Sequence, residues 1–272
     1  MLSEMQERVL FKTLLILAAA AGCAAVAYAA SSKVTMTREG DTLIITSNGI
    51  ADHAVGAFPN RHNPNTITEQ DHRFVIDATP EKRGRITAMR GSAFGVAVNG
   101  VPMDPAAAEF YQRDRQSGWS YDPFRMTGQL GLDENHAHVQ PTGAYHYHGL
   151  PTGLMGGMDE HSPLVGYAAD GFPIYAKYGH TDGVVTAQTS SYRIKSGTRP
   201  SGPGGTYDGT FVEDWEYVAG AGSLDACNGM DTVTPDFPEG TYAYFITDEF
   251  PYIPRCWVGT PSREGFAKKR RS

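Results

Sequence analysis

The interpretation of this sequence starts from one stretch, Asn135-His136-Ala137-His138-Val139-Gln140-Pro141-Thr142-Gly143-Ala144-Tyr145-His146-Tyr147-His148-Gly149. It holds four of the nine histidines, as two His-x-His pairs separated by Pro-Thr-Gly. Proline presets the first position of a turn, and glycine tolerates the left-handed position that follows. The stretch therefore predicts two short antiparallel strands joined by a three-residue hairpin loop.

The loop fixes the pairing of the two strands, because Gln140 then faces Ala144. His138 lies opposite His146, and His136 lies opposite His148. Alternate residues share one face of a strand, so all four imidazoles would form one patch, with opposed Cβ atoms about 5 Å apart. Neutral imidazole is the commonest side-chain ligand for transition metals. We therefore expect a divalent transition metal, zinc or copper first. A histidine ladder without metal and a pH-sensitive patch are the alternatives.

The expected metal ligands are His136, His138, His146 and His148. Tyr145 and Tyr147 would point to the opposite face of a regular strand and pack in the core, unless a bulge at Ala144 reversed this.

Three neighbouring polar residues are candidates for a supporting role. Glu134 is either a general base, a further ligand or a solvated loop residue. Asn135 either orients an imidazole or caps the strand. Asp170 is either a partner for an imidazole N–H or an ordinary residue of the Asp170-Gly171 turn.

The remaining polar and aromatic candidates are weaker. His53, His62, His72, His161 and His180 are scattered, and each is most simply a surface residue. Arg255 is expected either to bind an anionic group or to form a structural salt bridge. The aromatic residues Tyr167, Tyr175, Tyr242, Tyr244 and Trp257 are expected in the core, with a sugar-binding platform as the alternative.

The N-terminus indicates export. Residues 13–30 form an apolar, alanine-rich run preceded by Arg8 and Lys12, and Ala27-Tyr28-Ala29 is a small-x-small cleavage site. We expect a signal peptide over residues 1–29. A lipoprotein site at Cys23 and an uncleaved membrane anchor are the alternatives, and all three place the rest of the chain in a periplasmic or extracellular location.

The cysteine count agrees with export. Of three cysteines, one lies in the signal region, which leaves Cys227 and Cys256. An even number in an oxidising compartment predicts a disulfide between them. A thiol metal site is the weaker alternative, because neither cysteine has a close Cys or His partner in the sequence.

Composition and turn signals predict a mainly β fold. The chain has 272 residues, 31 Gly and 17 Pro, and a net charge of −7, which argues against nucleic-acid binding. We expect an antiparallel sandwich or barrel-like sheet with long loops and one or two short helices, one of them over residues 104–111.

Hairpins are predicted around Asn99-Gly100, as a two-residue turn, and around Asp170-Gly171, with Pro173 marking an edge strand. The expected divisions are 30–85, an N-terminal β segment; 86–262, the main domain; and 263–272, a basic tail.

Several motifs resemble those of the bacterial YHYH-domain family, which takes its name from Tyr145-His146-Tyr147-His148. The similarity extends over roughly residues 90–260 and includes Asn99-Gly100-Val101-Pro102, Asn135–Gly143, Gly166–Tyr175, Leu224–Gly229, Tyr242–Phe245 and Phe250–Cys256. The resemblance implies an exported domain of this extent and supplies no reaction.

Two functional hypotheses follow. The first is an exported metal-binding β domain, as a metal-dependent hydrolase or an oxidoreductase. The second is a cell-envelope or extracellular module that binds a small-molecule or glycan ligand without catalysis. In both, the membrane is involved only through an uncleaved N-terminal segment.

Overall fold

The computed structural model describes residues 30–126, 130–157 and 159–267. The expected signal segment and residues 268–272 of the expected basic tail lie outside the described residues. Within those ranges no helix is long and apolar enough to cross a membrane. The strands are β1 Val34–Glu39, β2 Thr42–Ser47, β3 His72–Asp77, β4 Thr87–Ala88, β5 Gly95–Ala97, β6 Pro102–Met103, β7 Ala137–Val139, β8 Tyr145–Tyr147, β9 Leu164–Ala168, β10 Pro173–Ala176, β11 Tyr178–Thr181, β12 Val184–Ala187, β13 Tyr192–Ile194, β14 Trp215–Tyr217, β15 Gly229–Thr234, β16 Phe237–Ile246 and β17 Cys256–Trp257. The helical elements described are short 3₁₀ segments at Tyr111–Arg113, Arg115–Ser117, Thr152–Leu154 and Val212–Asp214.

Eight strands form the main sheet, in the order β15-β16-β10-β9-β5-β6-β8-β7. Most neighbours are antiparallel, but β10 runs parallel to β16 and β6 runs parallel to β8. Strands β1–β3 form a separate antiparallel sheet, and three further pairs are two-stranded. The prediction of a mainly β fold is confirmed, and within the described residues the main sheet is mixed and open.

One hydrophobic core joins the two larger sheets. Ile45 and Phe74 of the N-terminal sheet belong to the same buried cluster as Val96, Tyr147 and Ile174 of the main sheet. The inner strands β5, β8 and β10 are buried at every residue. Continuous burial of this kind requires cover on both faces of the sheet, which explains why β5 and β10 do not alternate between apolar and polar residues, whereas the buried β8 alternates tyrosine with histidine.

Both predicted hairpins form, although their details differ from the expectation. Gly95 pairs with Met103, and the Ala97 N–H binds the Val101 carbonyl, so the loop around Asn99-Gly100 has three residues rather than two. Pro173 lies in β10 between β16 and β9, so the prediction of an edge strand is wrong. Proline is accommodated there because it is the first residue of its strand.

The predicted helix over residues 104–111 is absent from the structure, where residues 104–109 are irregular. The Asp104 carboxylate accepts from the Ala106 N–H at 3.1 Å, as a capping residue would. The Asp104 N–H, however, binds the Tyr147 carbonyl at 2.9 Å. This bond extends the pairing of β6 with β8, and it holds the segment along the sheet instead of in a helix.

The predicted disulfide is confirmed. Cys227 and Cys256 are bonded, with their Cα atoms 5.2 Å apart. Both residues are buried in the core. The two cysteines are 29 positions apart in the sequence. A cross-link that closes a loop of that length stabilises a fold by roughly 3–4 kcal/mol in the chain-entropy description. It also fixes Arg255, the residue before Cys256.

The loop between β2 and β3 covers the outer edge of β7, the last strand of the main sheet. The Asn63 and Asn65 side-chain amides both donate to the Val139 carbonyl, at 3.0 and 2.8 Å. The Thr68 N–H binds the carbonyl of Gly143 in the hairpin loop at 3.0 Å. The hairpin is therefore fastened to the N-terminal part of the chain.

Candidate metal centre

The histidine hairpin has the predicted register. His138 pairs with His146, and Val139 pairs with Tyr145. The Gln140 N–H binds the Ala144 carbonyl at 2.9 Å. Gly143 has a φ of +84°, in the left-handed region that a residue with a Cβ rarely adopts. Local turn chemistry therefore sets the positions of the histidines.

Three of the four predicted ligands converge. The ring centroids of His138, His146 and His148 are 4.6, 4.7 and 4.8 Å apart, and one potential ligand atom from each lies within 4.8 Å of the others. His146 and His148 are buried, and His138 is partly buried. We call these three residues the histidine triad.

The fourth predicted ligand, His136, lies outside the triad. Its φ is +52°, so the backbone leaves the strand conformation there and β7 begins only at Ala137. The ring packs against Phe124 in a tilted arrangement, with centroids 5.3 Å apart, and its Nδ1 lies 2.9 Å from the Leu150 carbonyl. The backbone partner is still the expected one, since the His148 N–H binds the His136 carbonyl at 2.8 Å.

The chemistry of His138 favours metal binding. Its Nδ1 lies 2.8 Å from the Leu130 carbonyl, which can only accept, so Nδ1 carries the proton and Nε2 carries the lone pair. Burial lowers the pKa of the His138 imidazole, so the neutral form that binds metals is favoured. The Leu130 carbonyl and nearby carboxylates oppose this shift without reversing it.

The separation of two ring nitrogens fits a shared ion. Nε2 of His138 and Nε2 of His148 are 3.1 Å apart. Two imidazole nitrogens bound at about 2.05 Å to one tetrahedral ion would be about 3.3 Å apart. Because Nε2 of His138 carries a lone pair, so short a distance requires either a proton or a cation between the two atoms. A cation would also engage His146.

The tyrosines lie on the opposite face, as predicted, and both are buried in the core. The Tyr145 hydroxyl donates to the Asp133 carboxylate at 2.6 Å. The Tyr147 hydroxyl lies 2.6 Å from Nε2 of His53 and accepts from the Asn99 amide at 3.0 Å. Burial is the main cause that raises the pKa of both phenols, so they stay protonated. These contacts fix the hairpin on the face opposite to the histidine triad.

The polar residues predicted to support the histidines have other partners. Asn135 donates to the Ala54 carbonyl and accepts from Thr152 and the Gly153 N–H, so it ties loops together. The Glu134 side chain is exposed. Asp170 accepts from the Tyr244 hydroxyl at 2.7 Å and from the Gly259 N–H at 2.8 Å, and burial raises its pKa to about 6.

The aromatic residues expected in the core are there. Tyr175, Tyr242, Tyr244 and Trp257 are buried, and Tyr167 packs against the same core from a partly buried position.

Sequence reasoning missed the acids whose charges act on His138, which are Glu109, Asp104 and Asp133. Asp104 is buried, and its N–H binds the carbonyl of Tyr147, the residue between His146 and His148. Its negative charge acts on His138 and favours the protonated ring. The pairing of β6 with β8 brings Asp104 close to the triad from more than thirty residues away, and no local sequence pattern predicts that pairing.

The family described as YHYH protein matches residues 73–259. This chain belongs to the YHYH family. The matched stretch begins within β3 and contains the triad, the tyrosines behind it and both disulfide cysteines. No curated protein matches this YHYH chain, and no solved structure does.

Proposed function

We propose that this YHYH protein is an exported metal-binding β domain, with a divalent transition metal held by His138, His146 and His148. The observation that carries the proposal is the convergence of three ring nitrogens, one from each residue, within 4.8 Å of one another. Zinc and copper are the ions expected, because both bind neutral imidazole well.

Three protein ligands suit a catalytic site better than a structural one. Structural zinc sites usually have four protein ligands, whereas catalytic sites leave the fourth position to water or substrate. An ion in such a site lowers the pKa of its bound water to about 7 and supplies a nucleophile at neutral pH. We therefore propose metal-dependent hydrolysis as the activity. Finding copper instead would favour an oxidoreductase.

The disulfide supports export. Disulfides persist in oxidising compartments, and Cys227–Cys256 is buried in the core of the domain. A signal peptide over residues 1–29 with release into the periplasm or the exterior remains part of the proposal.

The glycan-binding alternative has less support than the metal centre. It was motivated by the many aromatic residues, and several of them, including Tyr145, Tyr147, Tyr175, Tyr244, Phe94 and Phe245, are fully buried. A platform for sugar stacking needs exposed rings.

Metal analysis of the purified protein tests the proposal. We expect close to one zinc or copper ion per wild-type chain and almost none in the His146→Ala plus His148→Ala variant. The matched control is His136→Ala, which removes a histidine from the same hairpin but outside the triad, and it should keep its metal. Negligible metal in the wild-type protein after incubation with zinc or copper would refute the proposal. Equal loss in His136→Ala would show that the ligand set is wrong.

A further inference from the structure

A pocket with a cavity volume of about 570 Å³ opens between two irregular segments near the triad. One wall contains Glu109 and Arg113, and the other contains Tyr121, Arg125 and Met126. The volume lies in the range of pockets that bind small molecules.

Two connections place this pocket beside the histidine triad. Glu109 lines the pocket, and its charge acts on the His138 ring. Met126, also in the lining, is four residues before Leu130, whose carbonyl binds His138. Four residues of chain span at most about 14 Å, so the pocket and the triad are close.

The lining has an excess of positive charge. Arg113 and Arg125 are both exposed, and in the part of the chain that the structure describes neither forms a salt bridge or a side-chain hydrogen bond. One acid, Glu109, lines the pocket with them. In a protein of net charge −7, two guanidinium groups without a salt bridge in one cavity form a local positive site, which the charge of the buried Asp122 near Arg125 offsets in part.

A third guanidinium, that of Arg255, contacts the chain next to both pocket segments. Arg255 donates from Nη2 to the carbonyl of Pro105, four residues before Glu109, at 2.7 Å. Its charge also acts on Asp122, the residue after Tyr121. The Asp122 backbone binds Thr210, Arg125 and Met126, which all line the pocket.

The Arg255 guanidinium has an incomplete set of hydrogen bonds. Its Nε is inaccessible to solvent and has no hydrogen-bond partner among the described residues, and the guanidinium lies over the Phe250 ring at 5.0 Å. The structural salt bridge that was one expectation for Arg255 is absent within those residues. Carboxylates nevertheless act on this cation, since the charges of Asp122, Asp104 and Glu213 each raise the Arg255 pKa that burial lowers.

We infer that this pocket receives the substrate of the three-histidine centre and that the substrate carries a carboxylate or phosphate group. The Arg113 and Arg125 side chains bind the anionic group, and the nearby Arg255 adds positive potential that Asp122 offsets in part. Glu109 also lines the pocket, so the anionic group binds beside the arginines rather than beside Glu109. The inference rests on the proposed metal centre for the chemistry of the site, but the anion pocket itself is testable without metal.

Calorimetric titration of the protein with inorganic phosphate and, separately, with malonate tests the inference. Each probe is titrated into metal-free and zinc-loaded protein. We expect binding in both forms, because the arginines do not depend on the ion. The probe that binds more tightly identifies phosphate or carboxylate as the preferred group.

Three variants locate the binding. Arg113→Gln plus Arg125→Gln should weaken the binding of the preferred probe at least tenfold in both metal states, with zinc content unchanged. Arg90→Gln, which removes an exposed arginine outside this pocket, should leave affinity unchanged. Glu109→Gln should strengthen binding severalfold, because it removes a repelling charge.

Absence of binding of both probes to the metal-free and zinc-loaded wild-type protein would overturn the inference. Equal affinities for the double variant and Arg90→Gln would overturn it too. The failures of the two proposals are distinguishable. Anion binding that depends on Arg113 and Arg125, in a protein that takes up no metal, would refute the metal centre and leave the anion pocket standing.

Discussion

The two faces of β8 contrast in what surrounds their polar atoms. On the tyrosine face, the hydroxyls of Tyr145 and Tyr147 have protein partners at 2.6 Å, in Asp133 and His53. On the histidine face, the rings of His146 and His148 lie close to each other and to that of His138. The alternation of tyrosine and histidine from Tyr145 to His148 thus places fold-stabilising side chains on one face and potential metal ligands on the other. Substitutions on the tyrosine face should change stability, and substitutions on the histidine face should change metal binding.

The largest expected effect is the loss of stabilisation by zinc. A ligand at 100 times its Kd stabilises the folded state by about 2.7 kcal/mol when it binds only that state. Wild-type protein should show this gain in denaturant unfolding with and without zinc, and His146→Ala plus His148→Ala should show almost none. The same gain in that variant would mean that zinc binds elsewhere.

Asp104→Asn should weaken zinc binding by about tenfold, because it removes a buried negative charge that acts on His138 and would attract a bound cation. Competition with a chromophoric chelator measures the affinity. Asp170→Asn is the control, since Asp170 is equally buried but bonds Tyr244 and Gly259. If both variants bind zinc like the wild-type protein, Asp104 has no part in the centre.

Tyr147→Phe should lower the free energy of unfolding by about 1–3 kcal/mol, because it leaves the buried Asn99 amide and the His53 ring without a shared partner. Zinc stoichiometry should not change. Urea denaturation and metal analysis of the same sample measure both quantities. Loss of zinc from a variant that remains folded would contradict the separation of the two faces.

The smallest effect is expected at a second pair of histidines. The rings of His161 and His180 are 4.8 Å apart, as close as those of the triad, but no third ligand joins them among the described residues. His161→Ala plus His180→Ala should therefore leave metal content unchanged. A reduced content would show that two close rings suffice to bind an ion in this protein.

The sequence predicted the parts of the site that depend on local chemistry. Pro141-Thr142-Gly143 specified the loop and hence the opposition of His138 and His146. The error at His136 was also local. The Asp133 carboxylate accepts from the Asn135 and Ala137 N–H groups, and this turn gives His136 its left-handed conformation before the strand starts. An aspartate that accepts from backbone N–H groups two and four residues later favours a turn over a strand. Asp133 is such a residue, and its turn overrides the strand that the His-x-His alternation predicts at His136.

The remaining parts depend on contacts between distant segments. Asp104 comes beside the triad through the parallel pairing of β6 with β8, and Arg255 reaches Pro105 across 150 residues of sequence. Pro173 gave a misleading signal because its meaning depends on whether it begins a strand or interrupts one. Strand order and the pocket walls could not be read from local patterns, because neither follows from turn or strand propensity.

The asparagines that cover β7 bear on how the chain tolerates truncation. Asn63 and Asn65 occupy the Val139 carbonyl, on the side of β7 that has no neighbouring strand. The family match begins only at residue 73, so a chain shortened to that stretch would lose both amides. Its last strand would then present free carbonyls to any other strand, and two such chains could join edge to edge. The loop before β3 thus protects the edge of β7 from pairing with another chain. A protein truncated to begin at residue 73 should aggregate at concentrations at which the longer chain does not.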